Sequence, residues 1–474
     1  MMITEADIPM AGDVPLMTYT APPLQLEVAK LVQGDHLPTY AVHTRRVQRI
    51  WGAACDALLS DQAAMSELQD FSPDLIVGTP FFVCTSMVAA KLGVPYVTIS
   101  PGGLMADEFQ PWYVSAWNLF ISARPSYNPD MLGRFSHPKS FLARAQHILS
   151  ALRIQGDDFI FTRPFLRSLA KKHGLDMTSE PARQLELMHL IGGDFALEQP
   201  RPLPPKVKLV GALMPRPAKP LPSEVEEFVK GAGGHGTILI SLGTHAVMSQ
   251  REILAVAEAM GRLPQRVIWK MGDKEVAQAG GLSALNLTAN IKVMPWVPQN
   301  DILGHPSTKA FLSHMGANGL NEAAYHGVPL VAMPFFADQH LNALKAVNKG
   351  IGVTLDRMSM TDRDVHEAFS AVIQDRRFGE AAGRVSRIMR ARKRSPLQEA
   401  GDWIEHALEI GGASYLRTPE EELSWVVLNN LDVYAAFAAA AAAALLGVVL
   451  AVRRLHRSLL QASSATPNSS KKAL

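Results

Sequence analysis

Short apolar runs alternating with helical patterns dominate the chain from Phe71 onward. Asp74-Leu75-Ile76-Val77-Gly78 reads as a buried parallel strand, and Val94-Pro95-Tyr96-Val97-Thr98-Ile99-Ser100 reads as the next, with a helix over about residues 82 to 92 between them. That is a βαβ unit of an open α/β sheet. Residues 105 to 190 carry a mostly helical pattern broken by Pro and Gly. A second series predicts strands at Val207–Val210, Thr237–Ser241, Arg266–Lys270, Ile291–Met294, Lys309–Leu312 and Leu330–Met333. Helical patterns fall between them near 250–262, 317–326, 338–349 and 361–375, which together imply a doubly wound parallel sheet. The run Gln199-Pro200-Arg201-Pro202-Leu203-Pro204-Pro205 separates the two series as a stiff linker, because clustered prolines cannot join a sheet interior.

The 474 residues are too many for one ordinary core, so two domains are expected. A hydrophobic share of 47% against 19% charged fits a folded chain. The net charge of +2, from 46 Lys and Arg against 44 Asp and Glu, gives no footprint for nucleic acid. Cys55 and Cys84 are too few for a disulfide framework and show no C-x-x-C spacing, so they read as two small buried apolar residues that leave the redox compartment open. The N-terminus lacks a basic patch followed by an apolar core and so carries no secretory signal peptide.

The other end differs. Residues 433–452 form an uncharged apolar stretch, 20 residues long and half alanine, which is about the length of a bilayer-spanning helix; a buried Ala-rich helix is the alternative. Arg453, Arg454 and Arg457 follow at once, and basic flanks stay cytosolic. Lys471 and Lys472, fourth and third from the end, resemble a dilysine retrieval address of the endoplasmic reticulum.

The densest chemistry runs from Trp296 to Gln339. Ala310-Phe311-Leu312 reads as a strand, and His314-Met315-Gly316-Ala317-Asn318-Gly319 as a glycine-containing turn that opens a helix. In such sheets a diphosphate fits at the strand's C-terminal end, where a helix N-terminus presents N–H groups and small residues allow close approach. Asn318 and Glu322 are four apart and share a helix face, so one can meet phosphate while the other reaches a ribose. Asp338-Gln339 pairs an acceptor with a donor suited to vicinal sugar hydroxyls, although Asp338 alone could be a simple helix cap.

This stretch resembles the signature of UDP-glycosyltransferases, most closely the membrane-bound glucuronosyltransferase branch. The likeness extends over Phe71 to Cys84, Asp194-Phe195 with the linker, His235-Gly236 into Ile240-Ser241-Leu242-Gly243-Thr244, and the anchor and tail. It implies a GT-B fold of two facing Rossmann-like domains plus a transmembrane helix. The implied division is an acceptor-binding domain at 1–205, a UDP-sugar domain at 206–395, helices at 396–432 packing back on the N-terminal domain, the span at 433–452 and a cytosolic tail at 453–474. By resemblance, Trp296 stacks on uracil and Gln299 bonds near base and ribose. Glu322 holds the ribose, while His314, Gly316, Asn318, Gly319 and Thr244 lie at the diphosphate. Asp338 and Gln339 read the sugar, and Lys270 supplies a basic group near the nucleotide. His305 and His326 are given structural roles. UDP-sugar is then a co-substrate, no metal or other cofactor is expected, the acceptor is small and lipophilic, and a homo- or hetero-oligomer is compatible.

The resemblance also implies a histidine base after the first N-terminal strand and an aspartate orienting it. Here the aspartate's place is taken by Thr79, in Ile76-Val77-Gly78-Thr79-Pro80. The first strand and its histidine are missing from the pattern, and neither His36 nor His43 follows a strand. The expectation is therefore an N-terminal half that begins partway through its domain. Three readings stay open: an active transferase, a UDP-sugar-binding protein without turnover, and a membrane scaffold with a vestigial pocket. Lacking a signal peptide, the span could also insert as a tail anchor and leave the domains cytosolic.

Overall fold

The structure is a computed structural model. It describes residues 2–4, 16–19, 40–79, 84–103, 141, 156, 158–177, 185–200, 203–244, 246–336, 338–410, 414–416, 425–428 and 430–464. His36, Lys471 and Lys472 lie outside the described residues, and of His43 only the helical backbone is described.

The first sheet has four parallel strands: β3 (Ile76–Gly78), β4 (Tyr96–Ser100), β5 (Glu186–Ile191) and β6 (Val207–Leu209), side by side in that order. Among the described residues β3 is an outer strand, and its Val77 is half exposed. β1 (Met2–Thr4) and β2 (Leu16–Thr18) pair with each other as a separate parallel ribbon. Helices α1 (Tyr40–Ser60), α2 (Gln62–Phe71), α3 (Cys84–Leu92) and α4 (Arg163–Lys172) share one core with β2, built on Met17, Leu58, Leu68, Met87 and Leu166.

Three expectations are corrected here. The strand at Val207–Leu209, expected to open the second series, pairs with β5 and closes the first sheet, so the proline-rich run lies within the first sheet's connections and does not divide the two sheets. The helical reading of 105–190 fails at its end, where Glu186–Ile191 is strand β5, fixed between β4 and β6. Its Leu-Met-His-Leu run has no β-branched residue before Ile191, and an apolar run that short carries no period to separate strand from helix. Cys55 and Cys84 are indeed fully buried, but as a disulfide joining α1 to α3 rather than as free thiols.

The second sheet has six parallel strands. β7 (Thr237–Ser241), β8 (Arg266–Lys270) and β9 (Ile291–Met294) run one way from its centre. β10 (Thr308–Ser313), β11 (Leu330–Ala332) and β12 (Gly352–Thr354) run the other, so β10 lies beside β7 and the order reverses between them. Helices α5 (Ser223–Lys230), α6 (Gln250–Gly261), α7 (Asp273–Gln278), α8 (Gln299–Leu303), α9 (Ala317–His326), α10 (Gln339–Asn348), α11 (Asp362–Gln374) and α12 (Arg376–Arg390) complete this part of the chain. Successive strand residues face opposite layers. Ile238, Ile240, Val267, Trp269, Ala310 and Leu312 enter one core with α6 and α11, while Leu239, Ile268 and Phe311 enter the other with α9 and α12. Both faces are covered, which explains the unbroken apolar runs in the sequence.

α13 (Pro396–Glu409) starts at Ser395, whose hydroxyl accepts from Gln398 N. It packs on the first sheet, with Ala400 and Ala407 among Val97, Met188, Leu190 and Val210. Separately, after the short α14 (Trp425–Leu428), α15 (Leu431–Ser464) holds within Leu431–Gln461 an 18-residue apolar stretch with a mean hydropathy of 2.5, long enough to cross a membrane and with none of its residues buried.

Candidate donor-binding site

The strand order reverses between β7 and β10, and the C-terminal ends of strands at such a switch point are where open α/β sheets bind ligands. His314, just past β10, sits between two glycines. A Cβ on Gly243 would come within 2.8 Å of the imidazole, and one on Gly316 within 2.4 Å of its Nε2. Gly243 also has φ +72°, which disfavours any side chain, whereas Gly316 at φ −59° is kept small by space alone. The two glycines are therefore the slot that seats His314. Met315 takes the uncommon φ of +67°, held by Ser313 Oγ accepting from its N–H at 3.0 Å and by its carbonyl accepting from Asn342 Nδ2 at 3.0 Å.

That turn starts α9. Its first-turn N–H groups have no carbonyl one turn back and, with the helix dipole, favour an anion. Asn318 is exposed there, and Gly319 is buried, where an added Cβ would meet Ser313, Gln299 and Phe311 at ordinary contact distances. Thr244 is exposed in the β7 loop. Lys270, ending β8, donates from Nζ to the carbonyl of Gly243 and thereby ties that loop down.

Beyond β9, Trp296 is 67% exposed while Val297 beside it is buried, so the loop is anchored with the indole open to a planar partner. Gln299 opens α8 and donates from Nε2 to Glu322 Oε2 at 2.5 Å across to α9. Burial holds Glu322 above the ordinary carboxylate range, against the opposing pull of Gln299 and Arg216. Its neighbours fix α8 to the chain arriving from β6. Arg216 grips Asp301 through two bonds of 2.7 and 3.0 Å, and Lys219 N adds a third at 3.0 Å. These bonds prevail over burial and lower Asp301 to about 2. Asn300 Oδ1 accepts from Arg216 N at 3.2 Å and from His326 Nε2 at 3.1 Å, which fixes the His326 tautomer. Burial, aided by Arg390, lowers His326 to about 4, so it stays neutral. His305 Nδ1 accepts from Ser307 N at 3.1 Å in the turn before β10.

Asp338 and Gln339 begin α10. The Asp338 carboxylate accepts from Asn342 Nδ2 at 2.7 Å and from the Ala317 N–H at the mouth of α9, while burial raises its pKa. The Gln339 carbonyl accepts from Phe335 N at 2.8 Å and Phe336 N at 3.1 Å, and the residue is buried. That oxygen therefore shapes the loop, leaving only the amide NH₂ for other work. Sequence reasoning missed this, and it missed Arg216, Asn300 and Asn342, whose importance lies in contacts across 27 to 85 positions. In the other half, Thr79 is half-buried just past β3. His43 lies inside α1 and not in a turn after a strand.

Two Rossmann-like parallel sheets, the second with its strand order reversing between β7 and β10, are the architecture of GT-B glycosyltransferases. The chain belongs to the family described as UDP-glucoronosyl and UDP-glucosyl transferase, whose model matches residues 20–464. It is 33% identical over 430 residues to UDP-glucuronosyltransferase 2A1 of Rattus norvegicus, covering 89% of this chain and 76% of the rat protein. To UDP-glucuronosyltransferase 2A3 of Cavia porcellus it is 34% identical over 405 residues, covering 83% and 72%. Among solved structures, the glycosyltransferase of kitacinnamycin matches with a TM-score of 0.56 at 19% identity, covering 82% of this chain and 86% of that one. A UDP-glucose: anthocyanidin 3-O-glucosyltransferase in complex with UDP matches with a TM-score of 0.54 at 16% identity, covering 84% and 86%. The chain is thus a UDP-sugar glycosyltransferase by descent, with a UDP-sugar as co-substrate.

Proposed function

We propose that the chain transfers a hexose, glucose or glucuronate, from its UDP-sugar to a hydroxyl of a small lipophilic acceptor, with inversion at the anomeric carbon. The observation that carries this is the His314 slot between Gly243 and Gly316 at the N-terminus of α9, the helix whose Glu322 pairs with Gln299. In this reading Trp296 stacks on uracil and the Gln299–Glu322 pair meets base and ribose. His314, Asn318, Gly319 and Thr244 surround the diphosphate with Gly316 keeping the slot clear. Lys270 holds the β7 loop beside the nucleotide, and Asp338 with the Gln339 amide reads the hexose. The part built on the first sheet, through β6, serves the acceptor and the part built on the second sheet the donor, with α13 returning to the first sheet.

A second reading has its own observation. Thr79 stands where the family resemblance puts an aspartate, and a hydroxyl stabilises an imidazolium poorly. A chain that binds UDP-sugar without turnover fits that position. Calorimetric titration with UDP tests the donor site, and saturable heat is expected. Release of UDP in the presence of a phenolic acceptor then decides between the readings, because binding without release leaves only the second.

The span and disulfide support a single-pass membrane protein of the endoplasmic reticulum with a lumenal catalytic part and a cytosolic tail. Disulfides persist in oxidising compartments, and the Arg453, Arg454 and Arg457 flank favours the cytosol. Protease added to sealed microsomes should leave residues 1–417 protected, and their digestion would reverse the topology.

A further inference from the structure

One face of α10 carries Asp338, Asn342 and Lys345, spaced four and then three residues apart. Its first turn belongs to the donor site, and its later turns reach the N-terminal half. Lys345 is 8% exposed, and its Nζ donates to Oε1 of Glu198, itself 5% exposed, at 2.8 Å. Glu198 stands in the loop after β5, with its backbone N–H on Asp194 O at 2.8 Å. The turn after β4 closes over the pair. A Cβ on Gly103 would lie 2.3 Å from Glu198 Oε1 and 3.2 Å from Lys345 Nζ, so only glycine leaves them room. One turn further along α10, Lys349 Nζ donates to Phe195 O at 3.1 Å.

At the other end, Asn342 Nδ2 bridges Asp338 Oδ2 and the carbonyl of Met315, the residue that shapes the His314 turn. The Lys345 charge also acts on the Asp338 carboxylate, opposing the effect of its burial. A buried ion pair contributes little stability over apolar residues of the same size, so the effect to look for in this one is on geometry. We propose that Lys345 is a positioning residue for donor-sugar recognition: held by Glu198 of the N-terminal half, it sets α10 so that Asp338 faces the hexose, linking docking of the two halves to reading of the sugar. This rests on the donor-site reading above.

The test is calorimetry of the full chain in detergent with UDP, UDP-glucuronate and UDP-glucose, scored as the ratio of UDP-sugar affinity to UDP affinity. Lys345→Met should weaken UDP-sugar binding well beyond any effect on UDP and so lower that ratio about tenfold or more for the UDP-sugar the wild type prefers, as expected for a misplaced charge-assisted contact. Lys345→Arg should recover part of it. The Lys345→Met/Glu198→Met double variant removes both charges, so it should melt higher than either single variant while its ratio stays low. A double variant with the wild-type ratio overturns the inference, because the pair is then only structural. So does a parallel loss of UDP and UDP-sugar binding in Lys345→Met. A wild-type protein that binds neither ligand instead overturns the donor-site reading itself.

Discussion

Glu322 is a carboxylate taken out of water and given one amide partner, and its two states answer to different demands. Its raised pKa means that the folded apo protein binds a proton there more tightly than the unfolded chain does. The stability Glu322 contributes is therefore present below the ordinary carboxylate pKa of 4.5 and is lost as pH rises through the raised value. Ribose hydroxyls need the ionised form. UDP affinity should hold at neutral pH and fall on acidification from above pH 4.5, earlier than an exposed carboxylate would allow. Asp301, at about 2, stays ionised throughout, and His326, at about 4, is mostly neutral there, while Asp338, also raised by burial, takes up its proton at the other end of the site. Glu322→Gln keeps an oxygen for Gln299 Nε2. At pH 7 it should melt no lower than wild type, bind UDP about 10- to 100-fold more weakly and lose this acid limb. Calorimetry from pH 4.5 to 7.5 with thermal melts checks all three. The His314 slot gives a second residue-scale prediction. Gly316→Ala suits its φ of −59° but places a methyl 2.4 Å from Nε2. UDP affinity should drop about tenfold, with no further loss when the substitution is added to His314→Ala. Additive losses would show that the methyl acts on something other than the ring.

At the scale of elements, the disulfide stitches α1 to α3 across 29 residues of chain. Closing a loop of that length restricts the unfolded chain by about 3–4 kcal/mol. The paired Cys55→Ala/Cys84→Ala variant should unfold more easily by about that amount, read from denaturant midpoints, while calorimetric UDP binding at the second sheet stays unchanged. What the sequence allowed to be read follows the same elements. β7, β8 and β9 match to the residue, because strands buried on both faces show as unbroken apolar runs ended by turn residues. β12 was missed because three residues beginning with Gly352 carry no period. The bond between Cys55 and Cys84 was missed because two cysteines 29 positions apart carry no mark of their meeting in space. In the proposed site, Trp296, Glu322 and His314 could be nominated from sequence because a long contiguous signature holds them. The clamp of Arg216 on Asp301 and the Gln339 carbonyl turned onto its own loop were not, since each depends on how the backbone folds around it.

At the scale of the whole molecule, the chain leaves its first sheet, builds the second, and comes back. α13 returns to the first sheet, and Arg392 fixes the point of return. Its Nη1 donates to Asp194 Oδ2 at 3.0 Å, and its Nη2 to Glu399 on α13 and to Leu209 O at the end of β6. Asp194 also caps its own loop, accepting from Ala196 N at 2.9 Å, so a single guanidinium gathers the loop after β5, the end of β6 and the start of α13. That loop is the one whose Glu198 meets Lys345, so the anchor of α13 and the strut of α10 share a support. Three acceptors in different directions suit a planar, permanently charged fork and not an ammonium. Arg392→Lys should therefore fail to replace it. Removing one partner of a largely buried pair costs about 3–5 kcal/mol, and the partial exposure of Arg392 brings the expected loss toward the lower figure. Arg392→Met should release α13, expose Trp403 and raise hydrogen exchange in 396–409 and 194–198 together, while β7–β10 stay protected. Exchange that rises in α13 alone would mean that the helix and the loop are held independently, and that the two halves are joined by separate contacts with no common anchor.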